Sequence, residues 1–127
     1  LREGSDITIA VSGSMVAEAL KARELLSKKN VLAEVVIVSS AKRFDQTLYT
    51  SIEKTKAIIT VEDHAAISGF GAMLVFDLAQ KGILPKKVHV MGVTQYERSG
   101  EPHELYVHAG ISAKSIASTT QRVLQKV

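Results

Sequence analysis

The 127-residue chain has no cysteine and no tryptophan, two prolines and one asparagine, Asn30. Without cysteine there is no disulfide framework, no thiolate metal site and no cysteine nucleophile. Its absence fits a reducing, cytoplasmic setting. No apolar run approaches the roughly 18 residues of a membrane span, and Leu1 to Asp6 form no apolar leader segment. The chain does not start with methionine, so it is read as an excised or processed piece of a longer protein. The net charge is only +3, and its basic pairs, Lys28-Lys29, Lys42-Arg43 and Lys86-Lys87, stand apart beside expected turns or helix ends. With no basic stripe and no aromatic platform, no nucleic-acid partner is expected.

What remains is an ordinary globular composition, 46% apolar and 23% charged. The length suits one domain, residues 1–127, able to close a core without a staple. Ile7 to Val11 is a short apolar run ending at Ser12-Gly13-Ser14, which predicts a buried strand and a turn. A helix should follow, with Ser14 as its N-cap and Met15, Ala19, Ala22 and Leu26 on one face. Asn30 can end it. The unit then repeats: a β-branched strand over Ala33 to Val38, a helix capped by Asp45, and a third strand over Lys56 to Val61. Gly69-Phe-Gly71 opens a helix carrying Leu74, Val75, Leu78 and Ala79, with Gly82 as its stop. Pro85 introduces a strand over Val88 to Met91, which His89 marks as an edge or as open on one face. Pro102 suits a short helix ending at Gly110, and Ser112 caps a last helix with Ile116, Thr120, Val123 and Val127 on one face. Strands alternating with helices predict an α/β fold with parallel pairing, and Val11, Ile37, Ile59 and Leu74 as parts of one core.

In such a fold, ligands favour the carboxyl edge of the sheet. There the densest ionisable cluster is Glu62-Asp63-His64, read as a loop, with Ser68 nearby. A hydrolase reading fails because adjacent Asp63 and His64 do not form a base and its orienter, and no G-x-S-x-G elbow is present. The four histidines show no metal-ligand spacing. Gly69-x-Gly71 could cradle a phosphate, but it follows an acidic stretch and is better read as close packing of a helix start. Arg98 could clamp an anion or pair with Glu97 or Glu101. Glu62, Asp63, His64, Gly69, Gly71, Arg98 and Ser99 are therefore a candidate contact or anion site, and no residue is expected to be catalytic, cofactor-binding or metal-ligating.

Taken in order, these segments resemble one family. Val61-Glu-Asp-His64 followed by Ser68-Gly-Phe-Gly71 is similar to the VEDH…GGxG segment of transketolase C-terminal domains, with Ser68 replacing a frequent glycine. Arg98-Ser-Gly-Glu-Pro-His-Glu-Leu105 resembles the family's (R/E)SGxPxEL segment. Asp6 to Gly13 matches its opening strand, and Gly110-Ile111 with the closing helix matches its end. Tyr106 to Ala109 departs from the usual lysine- and phenylalanine-rich stretch. Related domains occur in deoxyxylulose-phosphate synthase, 2-oxoacid dehydrogenase β subunits and 2-oxoacid:ferredoxin oxidoreductases.

The resemblance implies a three-layer α/β/α sandwich with a five-stranded, mixed, mostly parallel sheet. Its order is 1-3-2-4-5 with the first strand antiparallel, here clipped to about Leu1 to Glu3. It also implies a whole enzyme, a homodimer of the pentose phosphate pathway, that moves a two-carbon ketol unit between sugar phosphates with thiamine diphosphate and Mg²⁺. Cofactor and substrate would sit in the remaining transketolase domains or subunit, leaving this domain packing, dimer contacts and a regulatory role. The chain has no GDG and lacks the Asn-Asn of a diphosphate–metal site. The alternatives are a non-catalytic interaction or effector-binding module of the same fold, or the equivalent 2-oxoacid enzyme domain.

Overall fold

The computed structural model describes residues 3–40, 42–93, 106–107 and 110–125. Among them, four strands, β1 (Ile7–Val11), β2 (Ala33–Ile37), β3 (Ala57–Ala65) and β4 (Lys87–Val93), form one sheet of order β2-β1-β3-β4. All three pairings are parallel, with Ile9 opposite both Val35 and Ile59. Among the described residues, the expected five-stranded mixed sheet is a four-stranded parallel one. Its order is the expected one with the first strand removed. Glu3 is not in a strand, and Leu1 and Arg2 lie outside the described residues.

The helices are α1 (Val16–Ser27), α2 (Gln46–Thr55), α3 (Phe70–Lys81) and α4 (Ala113–Gln125). The pleat of β1 divides its side chains between two layers. Ile7, Ile9 and Val11 face one way and join Met15, Ala22 and Leu26 of the first turn and α1, together with Ile116 and Val123 of α4. Ala10 faces the other way and joins Leu48 and Ile52 of α2 and Leu74 and Leu78 of α3. The sheet therefore lies between two helical layers, the α/β/α arrangement.

This division corrects two expectations. Val11 and Ile59 share one core layer, while Leu74 lies across the sheet in the other. Ile37 belongs to neither, because it ends the edge strand β2 and is 53% exposed. On α3 the buried stripe is Phe70, Gly71, Leu74 and Leu78, and Val75 and Ala79 point outward.

Local signals set most boundaries. Asp45 accepts the Thr47 N–H at 2.9 Å and caps α2. Lys56, expected to open β3, is instead the left-handed residue that closes α2, at φ 61°. Asn30 is left-handed at the same φ after α1, and Gly82 at φ 72° after α3. The Ser112 hydroxyl accepts the Ser115 N–H at 3.4 Å, at the head of α4. The helix expected before Gly110 is described at Tyr106 and Val107, whose carbonyls accept the N–H groups of Ile111 and Gly110. Pro102 and Val127 lie outside the described residues.

One polar network sits under α2. Thr8 Oγ1 lies 2.7 Å from Ser51 Oγ and 2.8 Å from Thr55 Oγ1. Beside it Glu34, buried on β2, takes hydrogen bonds from Lys54 and from the Gly4 N–H. Burial raises the pKa of Glu34, but the bonds from Lys54, Ser51 and Gly4 outweigh it and hold the carboxyl below its ordinary 4.5. A depressed native pKa stabilises the fold above the unfolded value and ceases to do so as pH falls through the native one. Glu34→Gln should therefore cost stability near neutral pH, and the gap from wild type should close as pH falls below 4.5. Urea midpoints of both proteins across that range check this; a gap constant down to about pH 3 would refute it.

Candidate functional site

The chain ends of β1 and β3 meet at the carboxyl edge of the sheet. After β1 the chain makes a tight turn over Gly13–Met15, and the Ser12 N–H donates to the Val61 carbonyl of β3. Ser14, expected to cap α1, instead donates its hydroxyl to Asp63 Oδ2 at 2.5 Å. β3 runs on past Val61, through an irregular register, to pair Ala65 with Val93. Glu62, Asp63 and His64, expected in a loop, are therefore strand residues.

Their side chains then part. Glu62 is completely buried, and its two carboxylate oxygens accept the N–H groups of Phe70 (3.0 Å) and Gly71 (2.9 Å). These are the first two amides of α3, the positive end of its dipole. The adjoining glycines make this possible. A Cβ at Gly69 would overlap the Glu62 carboxylate, and one at Gly71 would overlap the Thr60 hydroxyl. Gly69-x-Gly71 is thus a close-packing device, and the anion at this helix start is the chain's own. Asp63 is half-buried between Ser14 and His64, whose Nδ1 stands 3.6 Å from Asp63 Oδ1. The His64 side chain is 75% exposed. In a nucleophilic triad the histidine stands between serine and acid. Here the acid stands between serine and histidine, so the order of a triad is not met.

The structure thus brings Glu62, Gly69 and Gly71 together inside and leaves Asp63 and His64 at the surface. Arg98 and Ser99 lie outside the described residues. Sequence reasoning missed two features. Glu18, read as a helix-dipole residue of α1, is buried and accepts the Ala113 N–H at 2.7 Å, at the start of α4. Tyr49 of α2 donates to Asp77 of α3, and Lys81 reaches the same carboxylate at 3.2 Å. Burial, reinforced by Asp77, pushes the Tyr49 pKa up to about 12, and the same hydrogen bond lowers that of Asp77. The only trace of this tie in the sequence is the i, i+4 spacing of Asp77 and Lys81.

The sequence profile of the family described as "Transketolase, C-terminal domain" matches residues 1–116. The chain belongs to that family. A protein from Methanocaldococcus jannaschii, named as a transketolase C-terminal section, is 35% identical over 99% of this chain and 39% of its own. One of the subunits of an apulose-4-phosphate transketolase from Phocaeicola vulgatus is 32% identical over 99% of this chain and 40% of its own. A solved structure titled "Split gene transketolase, inactive beta4 tetramer" superposes with TM-score 0.86 at 31% identity, over 97% of this chain and 40% of that one. This transketolase C-terminal domain therefore spans about two fifths of the subunits it resembles.

Enzymes of the transketolase family use thiamine diphosphate. The described residues of this domain gather no carboxylate cage for that group's diphosphate–metal end. Among them no three carboxylates or histidines gather in a way that could hold a metal ion. At this edge the starts of α3 and α4 already face Glu62 and Glu18 and that of α2 faces Asp45, while no side chain caps that of α1. No described helix is long and apolar enough to cross a membrane.

Proposed function

We propose that this chain is the C-terminal part of a transketolase, cytoplasmic and dimeric when complete, that moves a two-carbon ketol unit between sugar phosphates of the pentose phosphate pathway. The chain's share is packing and subunit contact. Thiamine diphosphate supplies the electron sink for that chemistry, and the protein that binds and orients it lies in the other segments of the enzyme. One observation carries the reading: in this family fold, Glu62, the buried member of the ionisable cluster at the carboxyl edge, is spent on the chain's own backbone. Glu62 with Gly69 and Gly71 fixes α3, while Asp63 and His64 form a polar rim suited to a neighbouring domain. Arg98 and Ser99 are proposed to extend that rim.

The purified 127-residue chain is expected to fold, yet to bind no thiamine diphosphate with Mg²⁺ and to show no ketol transfer. Titration calorimetry and a ketol-transfer assay on the same preparation check this. Stoichiometric cofactor binding or turnover by this chain alone would overturn the proposal. A second reading, the same role in a deoxyxylulose-phosphate synthase, is supported by such an enzyme of Desulforudis audaxviator, 30% identical over 99% of this chain. The product made by the reassembled enzyme separates the two, since a synthase releases carbon dioxide from its donor and a transketolase does not.

A further inference from the structure

A cleft of about 670 Å³ opens where the loop before α2 meets α3. Neither Glu62 nor Asp63 lines it. Phe44, Ile67, Met73 and Phe76 give it an apolar lining. Ile67 is 91% exposed and Phe76 67%, and Met73 joins Phe76 at i, i+3 on the outward face of α3. Grouped apolar side chains open to water mark a surface that another surface covers. The cations at the rim differ in their commitments. Lys81 is engaged with Asp77 and lies 5.4 Å above the Tyr49 ring. Lys42 and Arg43 are exposed, and among the described residues neither has a carboxylate partner. The Tyr49–Asp77 bond ties one wall of the cleft to the other, so its shape is set before anything binds.

We propose that this cleft seats an acidic segment with an apolar tip, belonging to the part of the transketolase polypeptide outside these 127 residues. The inference rests on the functional reading above. The related subunits are about two and a half times as long as the stretch matched here, so such a polypeptide has further length from which a covering segment can come. The lining selects an apolar anchor, and Lys42 with Arg43 selects flanking carboxylates. A second copy of the chain, docked cleft to cleft, would set these cations against their equals.

The 127-residue chain has no cysteine, so single thiols placed in it report cleanly, and in the full-length polypeptide the labelling of the unsubstituted protein is subtracted. Ile67→Cys and Phe76→Cys probe the cleft, and Glu24→Cys probes an exposed position on α1. Each is introduced into the 127-residue chain and into the full-length polypeptide, and the rate of maleimide labelling is measured. The two cleft thiols should label about tenfold or more slowly in the full-length protein, with Glu24→Cys unchanged. Adding Lys42→Glu and Arg43→Glu should restore much of the lost rate. Equal labelling of the cleft thiols in both forms would overturn the proposal. So would protection that survives the two charge reversals, or protection in the short chain that grows with its concentration, the sign of a second copy. Ketol transfer by a full-length protein whose cleft thiols stay open would sink the docking seat and leave the functional reading standing.

Discussion

Replacing Glu62 with alanine is expected to lower the unfolding free energy by about 3 kcal/mol, since it strands two buried amide donors and removes a negative charge from a helix start. Both oxygens are engaged, at 3.0 and 2.9 Å, and the side chain has no access to water. Glu62→Gln should fall between, because an amide offers one acceptor oxygen and turns its NH₂ toward the other N–H. Gly69→Ala should be harmful for the complementary reason, its methyl group claiming the space of the carboxylate. The double variant Glu62→Ala/Gly69→Ala should then cost less than the sum of the two, because the new methyl group enters a vacated site. Chemical denaturation of the four proteins measures that coupling. Strict additivity would show that Glu62 and Gly69 do not share the packing described.

Ile59→Ala should cost about 2–5 kcal/mol, the usual range for emptying a large side chain from a closed core. Ile59 is wholly buried in β3, with Ile9 of β1 and His89 of β4 beside it in register. Ile37→Ala provides the contrast. It removes the same atoms from a similar β-branched run, but at an exposed strand end, and should shift stability by about 0.5 kcal/mol or less. Unfolding midpoints of the two variants that matched each other would refute the two-layer core.

The contrast between Ile59 and Ile37 also shows what a sequence can convey. Continuous β-branched runs announce strands, and Asp45, Gly82 and Ser112 announce helix ends, because those signals are local. Which strand forms an edge is decided by pairing, so the run from Ala33 to Val38 looks as central as that from Ala57 to Val61. The bond from Ser14 to Asp63 spans 49 positions, and no spacing rule reaches so far. Glu62 was visible as part of a polar cluster, but polar residues after an apolar run read as loop. Only the three-dimensional meeting of its carboxylate with two amides keeps it in a buried strand. The glycines were the better guide, since a close approach by some neighbour was the reason to expect them there.

Three helices of this domain begin against a carboxylate of the chain itself: α2 against Asp45, α3 against Glu62 and α4 against Glu18. An unneutralised helix start is among the simplest traps for a phosphate ester. In the complete enzyme proposed above, whose donors and acceptors would be phosphorylated sugars, open starts here would hold substrate away from the reacting centre. With these three closed from within, such molecules gain little by lingering on them. At those three starts the domain does not compete for what a neighbouring catalytic site consumes.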